Sequence, residues 1–378
     1  MKMIPLKIAV VIPTYPNIKS SLQNLLKVYE CLMRRHNVRV TLFIDEKYDF
    51  KYPGFLVEKV KGLDHGTIVE KVLLLLGLQR DYYIDLEEKL KGYDIIETSN
   101  PEFYWFAYQS FLAAKANGSK LVYRTSQTVD GFYLFPLTKW IPILISRKAY
   151  AFASSLLFTN PQALERCERL GLLEKGSKKS VIIGHATDTR MFAPLGKSAK
   201  KNTRRILLSV GGLYKIKGHH LIIEALKKIV DGGKDAELWI VGDGYFGKEL
   251  LLKAKKMGLQ DRVKLLGSKN HKELKSIYCK ADVFVLANYQ EITPAVNEAL
   301  ACQKPVVVME CGGRPFVIPD ESYGLVCKRF DVNEMARKVV ALLDNPSLAK
   351  KVAMKGRKRV VENFSIEAVA EKFYRAFR

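Results

Sequence analysis

The segment NYQEITPAVNEALACQKPVVV, which starts at Asn288, combines residues that could bind a diphosphate and a sugar. Thr293 followed by Pro294 predicts a helix start, because proline fits the first helical position, where a missing amide costs nothing. The free amides at that end of the helix attract an anion such as a diphosphate. Glu298 follows little more than one turn later, where its carboxylate can accept hydrogen bonds from two neighbouring sugar hydroxyls.

Strand-like runs alternate with helical spacing along the first half of the chain. LKIAVVIP at Leu6 is a continuous apolar run of the kind found in buried parallel strands, and positions 17–35 carry the helical period. Further strand-like runs begin at Val38, Tyr93, Lys120 and Ser155. This alternation predicts an α/β unit with a doubly wound parallel sheet.

The alternation starts again at Arg205 with RILLSVGG, after a polar and basic stretch, LGKSAKKNTRR, that we interpret as a linker. The sequence therefore predicts two Rossmann-like domains, an N-terminal one over 1–190 and a C-terminal one over 203–360. A helix over 361–378 is expected to pack back on the N-terminal domain. Because parallel sheets bind ligands at the carboxyl ends of their strands, we expect the two sheets to face each other across a cleft that holds the active site.

Composition narrows the class of protein. The 378 residues include 62 basic and 39 acidic side chains, which give a net charge of +23 and favour phosphate-bearing ligands or an anionic membrane surface. Nucleic acid is not expected, because no recognition motif accompanies the charge. The six cysteines lack metal-site or redox spacing, and no apolar run is long enough to span a membrane. With no signal-peptide pattern either, we expect a cytoplasmic protein, peripheral at most to the inner face of the membrane.

The segment at Asn288 resembles the glutamate-pair signature of the retaining GT-B glycosyltransferases of group 1, a family that includes glycogen synthases and phosphatidylinositol mannosyltransferases. Four more segments match in order and spacing: SVGGLYKIKGHHLIIEAL at Ser209, WIVGDGYFGKELLLKAKKMGLQDRVKLLG at Trp239, ADVFVLANY at Ala281 and YGLVCKRFDVNEMARKVVALL at Tyr323. The resemblance is specific over roughly the last 225 residues and extends over roughly the first 150 as fold only. It implies a GT-B fold, with the donor held by the C-terminal domain and the acceptor by the N-terminal domain.

The resemblance also implies roles for single residues. Glu298 would bind the donor ribose, and Lys217 in KIKG would contact the donor diphosphate, where a positive charge stabilises the leaving group. Gly211 and Gly212 would let the backbone approach the phosphates, and Gly242 belongs to a turn beneath the nucleotide base. The expected donor-binding set is Gly211, Gly212, Lys215, Lys217, Gly242, Thr293 and Glu298.

The chain departs from the family pattern at the donor site. Most family members carry arginine where this chain has Gly212, so one cation for the diphosphate is missing, and Lys215 is the candidate substitute. The first signature glutamate would stand eight residues before Glu298, at Gln290, with Glu291 next to it. Either Gln290 or Glu291 fills that position, and with Lys217 they form the expected catalytic set.

The acceptor side departs further. No histidine follows the strand KLVYRT, where the family has one, and Ser126 and Gln127 stand there instead. The glycine-rich turn that the family has after the first strand is also missing, although Asn17 and Ser20 could bind an acceptor or a phosphate. These four residues are the acceptor-side candidates.

The predicted reaction is transfer of a hexose from a nucleoside-diphosphate sugar to an acceptor with retention of the anomeric configuration. No metal and no other cofactor is expected, since no D-x-D pair stands at a strand end and the fold class does not need one. Six aromatic residues with basic neighbours suggest a lipid-linked or membrane glycan as acceptor. These aromatic residues are Tyr104, Trp105, Phe106, Phe132, Tyr133 and Phe135.

Two other functions remain open from the sequence. A catalytically inactive homologue that binds nucleotide or scaffolds a glycan-assembly complex is favoured by Gly212 and Gln290, whereas Lys217 and Glu298 speak against it. A sugar-nucleotide epimerase of the same fold would need acid and base groups that the sequence does not present. The sugar, the nucleotide base and the acceptor leave no readable pattern.

Overall fold

The chain forms two compact α/β units. The computed structural model describes residues 4–12, 18–48, 52–62, 68, 72, 82–102, 104–126, 140–194 and 204–378. One unit comprises Met1–His185 together with Val369–Arg378, and the other comprises Ala186–Ala368. Each unit is built around its own parallel sheet.

The described part of the first unit contains a sheet of seven strands. These are β1 (Leu6–Val11), β2 (Val38–Asp45), β3 (Leu56–Val60), β4 (Ile95–Thr98), β5 (Lys120–Thr125), β6 (Ser155–Phe158) and β7 (Ser180–Ile182). All neighbours pair in parallel, in the order β3-β2-β1-β4-β5-β6-β7. The helices are α1 (Ile18–Arg35), α2 (Leu86–Lys89), α3 (Trp105–Asn117), α4 (Trp140–Phe152) and α5 (Pro161–Arg169).

The second unit repeats the pattern with six described strands. These are β8 (Arg205–Val210), β9 (Ala236–Val241), β10 (Val263–Leu265), β11 (Val283–Leu286), β12 (Val306–Met309) and β13 (Leu325–Cys327). They pair in parallel in the order β10-β9-β8-β11-β12-β13. The helices are α6 (His219–Asp231), α7 (Gly247–Lys256), α8 (His271–Lys280), α9 (Pro294–Ala301), α10 (Arg314–Val317), α11 (Val332–Asp344), α12 (Pro346–Phe364) and α13 (Ile366–Phe377).

The apolar strands are buried because helices cover both faces of each sheet. All four residues of β11 and of β12 are buried, as expected for parallel strands without a solvent-exposed face. Helix α6 places Ile222, Leu226 and Ile229 against the core of the second unit. Two parallel-sheet α/β units with covering helices are the predicted fold class, and that prediction is confirmed.

The boundaries between the units differ from those that the sequence suggests. The first unit ends at His185 instead of 190, because the chain after it joins the second unit. There the amide of Thr187 donates to the carbonyl of Phe364 at 2.8 Å, and Phe192 is buried in the second core. The returning segment begins at Val369 instead of 361, since α12 belongs to the second unit.

Within the first unit, the returning segment packs on α1. The rings of Tyr29 and Phe373 meet edge to face, and those of His36 and Tyr374 stack with centroids 3.5 Å apart. Nζ of Lys372 donates to the carbonyl of Ile183 at 3.0 Å. The C-terminal end of the chain is therefore part of the first core.

Candidate functional site

Three loops meet at the carboxyl edge of the second sheet, where open parallel sheets bind their ligands. They follow β8, β9 and β11. The first two are cross-linked, because the amide of Leu213 donates to the carbonyl of Asp243 at 2.9 Å and that of Phe246 to the carbonyl of Leu213 at 3.0 Å. The third joins them where the amide of Tyr289 donates to the carbonyl of Ile216 at 3.4 Å.

Two glycines allow these loops to approach so closely. Gly218 has a φ of +71°, and a Cβ there would lie 2.1 Å from the carbonyl oxygen of Ala287. A Cβ on Gly242 would lie 2.0 Å from the carbonyl oxygen of Gly211. No other residue fits at either position without moving a backbone, so Gly242 joins the first two loops and Gly218 joins the first to the third.

The cations of the first loop have no acidic partner. Lys215 and Lys217 bound a short 3-10 turn, in which Lys217 is half-buried and Lys215 is exposed. Among the described residues, no carboxylate lies within ion-pair distance of either ammonium group. Cδ of Lys217 lies 3.9 Å from the position that a Cβ on Gly211 would take, so its stem covers the half-buried glycine. Lys217 therefore lies against the glycine backbone with no carboxylate partner among the described residues.

The position of Gly212 is covered by a tyrosine ring. A Cβ on Gly212 would lie 2.5 Å from Cε2 of Tyr214. The ring thus occupies the start of the path that a side chain at position 212 would follow. The loop in its present form has room for glycine alone at this position, and the family's arginine could enter only if Tyr214 moved.

His219, at the start of α6, was not identified from the sequence. It is buried, its Nδ1 lies 3.1 Å from Oγ of Ser209, and its Nε2 has no hydrogen-bond partner in the described part of the chain. Nε2 lies 3.9 Å from the Cβ position of Gly211. Burial lowers the pKa of His219 to about 4, so at neutral pH the ring is uncharged beside the glycine loop. The pair of histidines directly after the glycine of KIKG was the signal available in the sequence.

Helix α9 begins where the sequence predicts, with Thr293 as N-cap residue and Pro294 in the first turn. The side chain of Thr293 does not cap the helix, however, because its hydroxyl accepts no bond from the helix amides. Its Oγ1 is buried and has no hydrogen-bond partner among the described residues. A buried hydroxyl therefore stands at the positive end of α9, where the helix dipole favours an anion.

Glu298 is buried in the body of α9, with 8% of its surface exposed. Its Oε2 accepts a hydrogen bond of 2.8 Å from the hydroxyl of Tyr278 on α8, which is itself fully buried. Burial raises the pKa of Glu298 to about 7, although the Tyr278 hydroxyl acts in the opposite direction. Tyr278 was not identified from the sequence, because it lies on a different helix.

Gln290 and Glu291 lie in the loop between β11 and α9, and both are half-buried. Their backbone pairs with Gly312, whose amide donates to the carbonyl of Gln290 at 3.1 Å and whose carbonyl accepts from Ile292 at 2.8 Å. Asn288 supports the same loop, since its Oδ1 accepts from the amide of Gln290 at 3.1 Å while its buried Nδ2 has no partner in the described structure. Both candidates for the first signature carboxylate thus share one fixed loop, and the choice between them stays open.

The acceptor-side candidates are less well placed. Asn17 and Gln127 lie outside the described residues, as does the side chain of Ser20. Ser126 is exposed directly after β5. What the first sheet does carry at this edge is a buried ion pair, in which Nε of Arg124 donates to Glu97 at 2.8 Å.

The aromatic residues proposed for a lipid contact are corrected in part. Phe106 is fully buried in the first core, with its ring stacked between those of Tyr83 and Tyr104. Trp105 is half-buried, and positions 132, 133 and 135 lie outside the described residues. Phe106 therefore cannot contact lipid, because α3 uses it to bind the sheet.

In the described part of the chain, no group of three or more His, Cys, Asp or Glu side chains is arranged to hold a metal ion. None of the helices in that part is long and apolar enough to cross a membrane.

Comparison with known proteins finds one family model that matches much of the second unit. Residues 195–359 match the family model described as glycosyl transferases group 1. The chain is 28% identical over 254 residues to an alpha-D-kanosaminyltransferase of Streptomyces kanamyceticus, and the alignment covers 64% of each of the two chains. It is 27% identical over 238 residues to glycogen synthase of Mycobacterium tuberculosis, covering 61% of this chain and 57% of that protein. The matches thus span less than two thirds of these relatives.

Solved structures match over nearly the whole chain. Anabaena HepE in complex with UDP superposes with a TM-score of 0.76 at 16% identity, covering 98% of both chains. Sucrose-phosphate synthase of Thermosynechococcus elongatus superposes with a TM-score of 0.72 at 19% identity, covering 99% of this chain and 98% of that one. At these identities the likeness concerns the fold, which is the predicted GT-B fold.

Proposed function

We propose that the protein transfers a hexose from a nucleoside-diphosphate sugar to an acceptor hydroxyl, with retention of the anomeric configuration, since residues 195–359 match the family model of the group 1 glycosyltransferases. The observation that carries this proposal is the N-terminal end of α9. Thr293 offers a buried hydroxyl there that has no hydrogen-bond partner among the described residues, and Glu298 lies little more than one turn inside the helix. A diphosphate at the helix end leaves the attached ribose within the reach of that carboxylate.

Each donor contact follows from the chemistry of the residue. The diphosphate binds to the helix end, to the hydroxyl of Thr293 and to the ammonium group of Lys217, with Lys215 as a second cation. Glu298 accepts hydrogen bonds from the ribose hydroxyls in its ionised form. Gln290 or Glu291 binds the donor sugar. HepE binds UDP and UDP-glucose, so UDP is the first nucleotide to test.

In the proposed reaction, the bond between the anomeric carbon and the phosphate oxygen breaks and a bond to the acceptor oxygen forms on the same face. The acceptor proton moves to the departing phosphate oxygen. Lys217 and the amides of α9 stabilise the negative charge that develops on that oxygen, so catalysis rests on positioning and electrostatics. No metal takes part in this scheme.

A thermal-shift screen of the purified protein against UDP, GDP, ADP and their hexose conjugates tests the donor site. Ligand at a hundredfold excess over its Kd stabilises a protein by about 2.7 kcal/mol. We expect one nucleotide family to raise the Tm of the wild type and to lose that effect in Glu298→Ala and in Lys217→Ala. Lys256→Ala, on the exposed side of α7, is the matched control and keeps the shift.

No Tm shift with any nucleotide would contradict the donor site, and turnover that disappears in EDTA and returns with magnesium would contradict the metal-free scheme. For the acceptor, the excess of basic residues favours a lipid-linked or membrane glycan. Product analysis by mass spectrometry and the anomeric coupling constant in NMR report the sugar and the stereochemistry.

One observation favours a second candidate function, a homologue that binds nucleotide without turnover. The ring of Tyr214 takes the space at Gly212 from which the family's arginine would reach the diphosphate. A site with fewer cations stabilises the leaving group less well. Nucleotide binding without hexose release from any donor, in the presence of membrane extract as acceptor source, would favour this candidate.

A further inference from the structure

Helix α4 of the first unit exposes large apolar side chains to solvent. Trp140, Leu144 and Phe152 are 49%, 55% and 40% exposed. Arg147 and Lys148 are exposed on the same helix. At 3.6 residues per turn, these five positions fall within about 140° of the helix circumference. One side of α4 therefore combines three apolar side chains with two cations.

The adjoining helix α3 extends this surface. Leu112 is 39% exposed, and the ring of its neighbour Phe111 lies 5.4 Å from the ring of Phe152. The sequences of both helices, at 105–117 and 140–152, contain no Asp or Glu. We call this surface the α3–α4 face and define it by six residues: Leu112, Trp140, Leu144, Arg147, Lys148 and Phe152.

The composition of the α3–α4 face selects its partner. Adjoining exposed side chains of this size mark an interaction surface, because water solvates them poorly. Trp140 has the amphipathic ring that membrane interfaces favour, and the two cations without a carboxylate on either helix complement anionic head groups. With a length of about 20 Å, α4 would lie along the bilayer surface instead of crossing it. We propose that the α3–α4 face docks the protein on an anionic lipid bilayer.

A second exposed apolar pair shows why α4 is the better candidate. On α7 of the second unit, Leu251 and Leu252 are 48% and 58% exposed. That helix carries Glu249 in its first turn and Lys253, Lys255 and Lys256 in its last turn, and it has no aromatic residue. Such a helix is well solvated, so Leu252 serves as the matched control.

The proposal deepens the proposed function, on which it rests for a membrane-borne acceptor. Its test is separate, because vesicle binding requires neither nucleotide nor turnover. A wild type that binds nucleotide but not vesicles would contradict the docking and leave the donor site standing. A wild type that binds vesicles but shows no Tm shift with any nucleotide would contradict the donor site and leave the docking standing.

Flotation of the full chain with liposomes tests the docking. Vesicles of phosphatidylcholine, alone or with about 30% phosphatidylglycerol, are compared at about 0.1 M and about 1 M salt. We expect the wild type to float with the anionic vesicles and to bind less at high salt. Leu144→Asp should lower the partition coefficient about tenfold or more, because it removes apolar burial and adds a negative charge. Lys148→Glu should lower it about tenfold on anionic vesicles only.

Leu252→Asp should float like the wild type. Both Leu144 and Lys148 are exposed, so circular dichroism and Tm should show that their variants remain folded. A wild type that stays with the unbound fraction would overturn the proposal. So would vesicle binding that survives Leu144→Asp and Lys148→Glu but is lost in Leu252→Asp. A wild-type dimer that Leu144→Asp converts to a monomer, seen by light scattering, would assign the face to a second copy of the chain and overturn the lipid docking as well.

Discussion

Replacing Glu298 by glutamine should stabilise the free protein and weaken its binding to nucleotide. The carboxylate is buried, and burial raises its pKa from 4.5 to about 7. The folded state therefore holds the proton more tightly than the unfolded state, so the stability contributed by this group is present below about pH 4.5 and is lost as pH rises through about 7. Glutamine has no charge to bury and can still accept a hydrogen bond from Tyr278.

The size of the effect follows from the pKa shift. Raising the pKa of Glu298 from 4.5 to about 7 corresponds to about 3 kcal/mol of unfolding free energy at high pH. At about pH 5 most of this penalty is absent, so the gain from Glu298→Gln should be about 1 kcal/mol there and about 3 kcal/mol at about pH 8. Urea unfolding of both proteins at the two pH values measures the difference.

Nucleotide binding should respond in the opposite direction. If the ribose hydroxyls donate to the ionised carboxylate, the wild-type affinity should rise about tenfold between about pH 6 and about pH 8, as the ionised fraction grows. Glu298→Gln should bind the nucleotide more weakly at pH 8 and show no such rise. Isothermal titration calorimetry with the nucleotide from the thermal-shift screen gives both values.

Glu334→Gln is a matched control, because its expected effect on stability has the opposite sign. The amide of Lys328 and the ammonium group of Lys338 lower the pKa of Glu334 on α11, so its contribution to stability is present at high pH and is lost on acidification. Glu334→Gln should thus destabilise the protein at about pH 8 and leave nucleotide binding unchanged. The reasoning about Glu298 fails if Glu298→Gln is less stable than the wild type at that pH, or if wild-type nucleotide affinity is flat with pH.

Three further predictions concern the glycine loop. Lys217→Met should weaken nucleotide diphosphate binding about tenfold or more by removing a charged hydrogen-bond donor, while the affinity for the nucleoside, compared by calorimetry, stays constant. Gly218→Ala should lower stability in urea by more than about 2 kcal/mol, because the new methyl group would meet the carbonyl of Ala287; an unchanged midpoint would mean that the two loops are not in contact. Gly212→Arg should be destabilising alone and tolerated with Tyr214→Ala, so a double-mutant cycle in urea with no coupling would refute the packing of that ring.

The sequence predicts those parts of the candidate donor site whose residues lie close together along the chain. Thr293, Pro294 and Glu298 stand within one helix, so their positions follow from the helix start and the period. Lys217 follows from the turn that ends at Gly218. These short-range rules need no knowledge of which helix packs on which.

The missed residues depend on packing between elements. Tyr278 reaches Glu298 only because α8 packs beside α9, and 20 residues of chain separate the two side chains. The sequence left open whether Phe106 is a core residue or contacts lipid, because α3 is apolar around most of its circumference and the sequence does not show which side meets the sheet. Leu144 is the reverse case: its apolar side chain predicts burial, but the structure leaves it 55% exposed.

The proposed metal-free reaction depends on how much positive charge the residues of the glycine loop provide. His219 adds no charge, because burial lowers its pKa to about 4, and Gly212 offers no side chain. In the proposed donor complex, the cations that we assign to the diphosphate from the described residues are Lys217 and the end of α9, which is worth about half an elementary charge. That is less than a diphosphate carries, so the proposed scheme requires the exposed Lys215 to close over the ligand. Because Lys215 has no acidic partner among the described residues, closing over the diphosphate breaks no ion pair. This is the physical ground on which the metal-free scheme is preferred.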